Sequence, residues 1–95
     1  MSKRSYITLA SFIDYRTGRR VPRRRDYYLD AWYRAVERVA LQCESEEKIF
    51  SLMGGWYVGA IEHTSDINAE RWEHLTAYAI AVFRHSRLAV GAKEE

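Results

Sequence analysis

Of the residue types able to bind a metal, attack a substrate or carry a proton, this chain places three histidines at an even spacing of eleven: His63, His74 and His85. Eleven residues are three helical turns, so an unbroken helix would set them on one face but about 16 Å apart at 1.5 Å per residue. They cannot share a metal at that distance, and the closely spaced Cys and His pairs of a zinc site are absent. No metal and no cofactor is expected, and the histidines read as surface or half-buried side chains. Cys43 is the single cysteine. It cannot form an internal disulfide, and it falls in an apolar helical stripe where a thiol behaves as a small hydrophobe. His63 near Asp66, or Glu70 and Glu73 with His74, could be assembled into acid–base pairs, but such clusters arise freely on polar helix faces. Gly54-Gly55 and Gly59 lie within an apolar stretch, with no Gly-Lys-Ser/Thr to cradle a phosphate. A substrate pocket of roughly 300 Å³ or more is hard to carve from the core of so short a chain. A non-enzyme is expected.

The chemistry that remains belongs to arginine. Residues 1–25 hold eight basic side chains (Lys3, Arg4, Arg16, Arg19, Arg20, Arg23, Arg24 and Arg25) against one acid, Asp14. The other seventy residues hold seven basic and twelve acidic side chains, so the two parts sit near +7 and −5 within a net charge of +2. Such a field attracts anionic surfaces and speeds encounter with them. Guanidiniums make forked contacts to phosphates and carboxylates, so arginine in place of lysine suits a defined anionic surface. Tyr6, Tyr15, Tyr27 and Tyr28 border the cluster, where they could stack on bases or on a partner's side chains. The candidate partner- or phosphate-binding residues are therefore Arg16, Arg19, Arg20, Arg23, Arg24, Arg25, Tyr15 and Tyr27. The competing use of the same arginines is pairing with the protein's own twelve later acids.

Four segments must position these side chains. Tyr6 to Leu9 is β-rich, Phe12 to Tyr15 resumes after two small residues, and Thr17-Gly18 suits a hairpin loop with glycine at positive φ. Arg19 to Val21 would return, and Pro22 would end the strand because it has no amide hydrogen for the ladder. A short helix from Thr8 to Arg16 capped by Gly18 competes with this hairpin. From Asp26 to Cys43, Leu29, Trp32, Tyr33, Val36, Val39, Ala40 and Cys43 recur at three and four, with Asp30, Arg34, Glu37 and Arg38 on the polar side. Asp26 is the expected N-cap, and three arginines then crowd the positive end of the helix dipole. Ser45 caps a third segment, 46–62, which either continues as helix or breaks at Gly54-Gly55; glycines 55 and 59, one turn apart, would let another helix approach closely. The last helix spans 66–90, capped by Ser65 or Asp66 and stopped by Gly91, which leaves 91–95 as a frayed tail. Its seam is Trp72, Leu75, Ala79, Val82, Ser86 and Ala89, flanked by Tyr78, Ala81 and His85.

The expected fold is thus an α-rich α+β domain over 1–95, an N-terminal β-hairpin (6–23) followed by a small bundle of three helices. With 47% hydrophobic and 14% aromatic residues the chain is no disordered tail. It has neither an apolar signal segment nor an apolar run of about 18–20 residues, so no membrane role and a cytoplasmic setting are expected. Two functions fit. One is an interaction protein, an inhibitor or accessory factor of a nucleic-acid-handling protein, docking on an acidic surface of a larger protein through the arginines and exposed aromatics. The other is a nucleic-acid-binding protein that sets the same arginines on phosphates, although no recognition-helix pattern is visible and the body is acidic. Homo-oligomerisation is open to a small chain this aromatic.

Overall fold

The chain opens as a hairpin because Asp14 and Gly18 make the turn. In the computed structural model, which describes residues 8–65 and 67–94 with side chains to residue 87, β1 (Ser11–Asp14) pairs antiparallel with β2 (Arg19–Pro22). The Asp14 carbonyl accepts from the amides of Thr17 (3.1 Å) and Gly18 (2.7 Å), and Gly18 takes φ +75°, the left-handed conformation that only glycine adopts freely. The hairpin over Thr8–Arg16 thus prevails over the competing helix. Its first strand is shorter than the sequence pattern indicated. Tyr6 and Ile7 lie outside the described residues, and Thr8 to Ala10 are not in the sheet, because the Leu9 amide donates instead to the Tyr78 hydroxyl at 3.0 Å. Pro22 is the last strand residue, and the Arg23 amide then closes the open end on the Ala10 carbonyl at 2.8 Å.

Asp26 caps the next segment as expected, its carboxylate accepting from the Tyr28 amide at 3.0 Å. A 3₁₀ turn at Tyr27–Leu29 leads into α1 (Asp30–Gln42), which buries Tyr33, Val36 and Ala40. The helix differs from its sequence pattern at one position. Glu37, expected on the polar side, is 1% exposed. It stands at the edge of the apolar stripe, and groups from outside α1 satisfy it. α2 (Glu46–His63) begins at the Ser45 cap, whose hydroxyl accepts from the Lys48 amide at 3.2 Å, and runs unbroken through Gly54-Gly55. α3 (Ala69–Glu94) starts later than the sequence suggested. Asn68 is the cap, accepting from the Arg71 amide at 2.8 Å, because Ile67 turns inward (4% exposed) and places Asn68, not Ser65, at the helix mouth. α3 also continues through Gly91 to Glu94 instead of ending at Val90. A glycine stops a helix by taking a left-handed conformation and is otherwise tolerated inside it at about 1 kcal/mol.

The three helices are not equal partners. α3 is buried on every side from His74 to Phe83, a stretch that includes the expected seam residues Leu75, Ala79 and Val82 together with Ala77, Ile80 and Ala81. A helix apolar all round is one that its neighbours enclose, and here α1, α2 and β1 all pack on α3. The alanines keep the central helix thin enough for three elements to surround it. Trp72 anchors α2 by donating its indole N–H to the Met53 carbonyl at 2.8 Å, and it meets Trp32 of α1 edge-on at 5.3 Å. Arg87 ties the α1–α2 corner down, donating to the Cys43 carbonyl at 3.4 Å and the Glu44 carbonyl at 3.2 Å. No helix among the described residues is long and apolar enough to cross a membrane. Because Asn68 supplies the cap, Asn68→Ala is expected to cost about 1 kcal/mol in urea unfolding, whereas Ser65→Ala should leave the midpoint unchanged.

Candidate functional site

The arginine segment does not form one continuous cationic surface; the fold divides it. Arg23 turns inward. Its guanidinium lies 4.2 Å over the Tyr33 ring and 5.7 Å from that of Tyr78, and donates to Glu37 at 3.4 Å and to the Tyr78 hydroxyl at 3.2 Å. Tyr78 in turn donates its proton to the Glu37 carboxylate at 2.5 Å. A carboxylate buried in this way is tolerated only when paired and hydrogen-bonded. Burial, followed by the carboxylate hydrogen bond, pushes the Tyr78 hydroxyl well above the usual phenol range, so it remains a donor.

A second tyrosine, Tyr33 of α1, does the same work. The Tyr33 hydroxyl accepts from the Arg24 amide at 3.0 Å and lies 2.6 Å from His74 Nε2. His74, expected at the surface or half-buried, is 4% exposed, with Phe12 edge-on at 5.5 Å. Burial drives its pKa from 6.5 down to about 4, with the nearby Arg24 charge acting the same way and Glu70 opposing. The ring is therefore neutral at pH 7, and its Nε2 shares a hydrogen bond with the Tyr33 hydroxyl. Two core hydroxyls thus grip the backbone on both sides of the hairpin, at Leu9 and at Arg24.

Other arginines are held on the surface. Arg16 bonds Asp14 at 3.0 and 2.7 Å and reaches Glu73 at 3.4 Å; this contact, against the cost of burial, holds the Asp14 carboxyl below its usual range. Arg24 forms a forked pair with Glu70 and lowers that carboxyl likewise. Asp26 pairs with Arg71 at 3.2 Å. Of the three arginines crowding the start of α1, Arg23 and Arg24 are therefore relieved by the chain's own acids.

Arg19, Arg20 and Arg25 are exposed and pair with no carboxylate among the described residues. Arg25 borders an open concavity of about 640 Å³ with Arg23, Arg24 and Tyr27, the last 84% exposed and edge-on to Tyr28. Arg20 lies elsewhere. It is the cross-strand partner of Ile13, so both project from the outer face of the hairpin, and it donates to the Ser11 hydroxyl at 3.0 Å. Beside them is a concavity of about 380 Å³, floored by Leu9, Phe12 and Ala81 and rimmed by Arg20, Arg84 and His85. Tyr15, at the hairpin tip, is 38% exposed and stacks edge-on against Phe50 of α2 at 5.4 Å. Sequence reasoning missed Ile13, Phe50 and His85 as part of this surface; the alternation of Phe12 and Asp14 inward leaves Ile13 outward, which was the available signal. Among the described residues, no group of three or more His, Cys, Asp or Glu is placed to hold a metal ion. No family model, no characterised protein and no solved structure matches this chain.

Two measurements follow from the buried groups. Arg23→Met strands the Glu37 carboxylate in the core and should cost about 3 kcal/mol in denaturant unfolding, with Glu37→Gln added to it recovering most of the loss. Unfolded His74 takes a proton near pH 6.5, and the folded ring resists until about pH 4. Stability is therefore full above that range and falls by about 3 kcal/mol as the pH drops through it. His74→Gln should remove that share of the acid loss, read as the wild-type minus variant difference across the pH series.

Proposed function

We propose that this protein is a non-enzymatic interaction protein that docks on an acidic, apolar-bordered patch of a larger protein through the outer face of its hairpin. The observation that carries this reading is the division of the arginines. Arg16, Arg23 and Arg24 are neutralised by Asp14, Glu37 and Glu70, while Arg20 pairs with no carboxylate among the described residues and stands beside exposed Ile13 (43%) above the apolar-floored concavity. A guanidinium next to an exposed apolar side chain is the composition of an interface centre. Arg84 on the far rim is itself paired with Glu46 at 2.6 Å, so the guanidinium this concavity offers a partner is that of Arg20. An acidic side chain flanked by leucine or phenylalanine fits such a surface, its carboxylate on Arg20 and its apolar neighbour over Phe12 and Ala81.

Binding to a nucleic-acid backbone is the second reading. Its support is Tyr27, 84% exposed in the same concavity as Arg25, a pairing able to stack on an unpaired base beside a phosphate. Against it, internal pairing neutralises Arg16, Arg23 and Arg24, three of the six described arginines of the segment, and long-range phosphate binding needs that charge.

The two readings separate when the protein is titrated with a labelled Glu/Phe-rich peptide and with single- and double-stranded DNA and RNA at low and moderate salt. Docking through the hairpin face predicts peptide binding that Arg20→Glu weakens at least about tenfold and Arg25→Glu spares. Nucleic-acid binding that collapses with salt and with Arg25→Glu would select the second reading. Binding to neither probe would reject both surfaces.

A further inference from the structure

α2 is the least covered helix of the fold. It buries Ile49, Met53 and Ala60 against the core, yet Trp56 (40%), Val58 (56%) and Ile61 (43%) remain exposed around it. On the side away from the core lie Lys48, Ser51, Gly55, Gly59 and Glu62, in successive turns. A Cβ added at Gly55 or Gly59 would meet nothing within 4 Å, so the described residues make no use of the close approach that glycine allows there. Each of these glycines costs about 1 kcal/mol of helix propensity.

The face is also symmetric in a particular way. Lys48 and Glu62 each stand seven residues from Gly55, and Ser51 and Gly59 each stand four. Reversing the helix end to end about Gly55 therefore places small on small and basic on acidic. Neither Lys48 nor Glu62 has an ion-pair partner among the described residues.

We propose that this face of α2 is a two-fold interface on which a second copy of the chain packs its own α2 antiparallel, Gly55 against Gly55, with Lys48 of each copy paired to Glu62 of the other. Seven residues rise about 10.5 Å, so both charge pairs meet at equal heights on either side of the crossing. Gly59 of one copy faces only the small Ser51 side chain of the other, which lets the axes approach closely, and the two Trp56 side chains lie together along one edge of the seam. A parallel arrangement would set Lys48 on Lys48 and Glu62 on Glu62, which like-charge repulsion opposes. Self-complementarity under reversal is what a two-fold interface requires, and an unrelated partner would have no need of it.

Sedimentation equilibrium of the full chain across the micromolar range tests this. A reversible dimer is expected. Gly55→Leu, which favours helix but puts a side chain at the crossing, should raise the dissociation constant at least about tenfold while circular dichroism stays helical. Lys48→Glu, on an exposed turn, should weaken the dimer by a similar factor, and Lys48→Glu combined with Glu62→Lys should restore it. Should Gly55→Leu not fold, the charge pair still decides. A monomer at all concentrations, a dimer indifferent to Lys48→Glu, a charge swap that fails to restore association, or a monomer that uses this face for a different protein would each overturn the proposal.

Discussion

The guanidinium of Arg23 between Tyr33 and Tyr78, paired with the buried Glu37 carboxylate, is the contact on which the rest of the arrangement turns. A two-stranded hairpin is marginal by itself, and this one persists because two phenol oxygens in the helical core take up the backbone amides at its ends. The Tyr78 hydroxyl serves Leu9, Arg23 and Glu37 at once, and the Tyr33 hydroxyl serves Arg24 and His74. Remove the ion pair and the core holds an unmatched carboxylate; remove either phenol and the hairpin loses an anchor. Hairpin, α1 and α3 are thus joined by one polar network in a low-dielectric setting, where full satisfaction rigidifies and partial satisfaction is costly.

That network also sets the electrostatics. Eight basic residues near the start of the chain suggest a strong cationic face, but three of the arginines are used to attach the hairpin to α1, α3 and its own turn. Among the described residues, what is left of the segment is discrete: Arg20 with Ile13 on the outer face, Arg19 at the tip, and Arg25 beside Tyr27. Isolated guanidiniums next to apolar side chains suit short-range recognition of a matching surface more than the diffuse neutralisation of many phosphates.

α2 stands apart from this network. It meets α3 along one narrow side, held by the Trp72 indole and the Arg84–Glu46 pair, and its outer side carries apolar groups and glycines that the chain does not cover. The surface of the hairpin and that of α2 are different in kind, one cationic with an apolar floor and the other a row of small residues between a lysine and a glutamate.

The elements themselves were legible in the sequence, because turn chemistry and helical periodicity are local. Asp14 with Gly18 marks the hairpin turn, Asp26 and Ser45 mark helix starts, and the 3,4 spacing of Leu29, Tyr33, Val36 and Ala40 marks the core side of α1. The start of α3 was not: the sequence pattern pointed to Ser65 or Asp66, Asn68 suits a cap equally well, and only the inward turn of Ile67 sets Asn68 at the helix mouth. Nor was the burial of Glu37 and His74: each stands at the border of an apolar stripe, and whether such a position faces water or core depends on which neighbour arrives with a matching donor or acceptor. The sequence by itself determined the types and order of the elements and the supply of arginines. Only the tertiary structure decided which arginines are consumed within the fold, because ion pairing joins residues such as Arg24 and Glu70 that are far apart along the chain and adjacent only once α3 is enclosed.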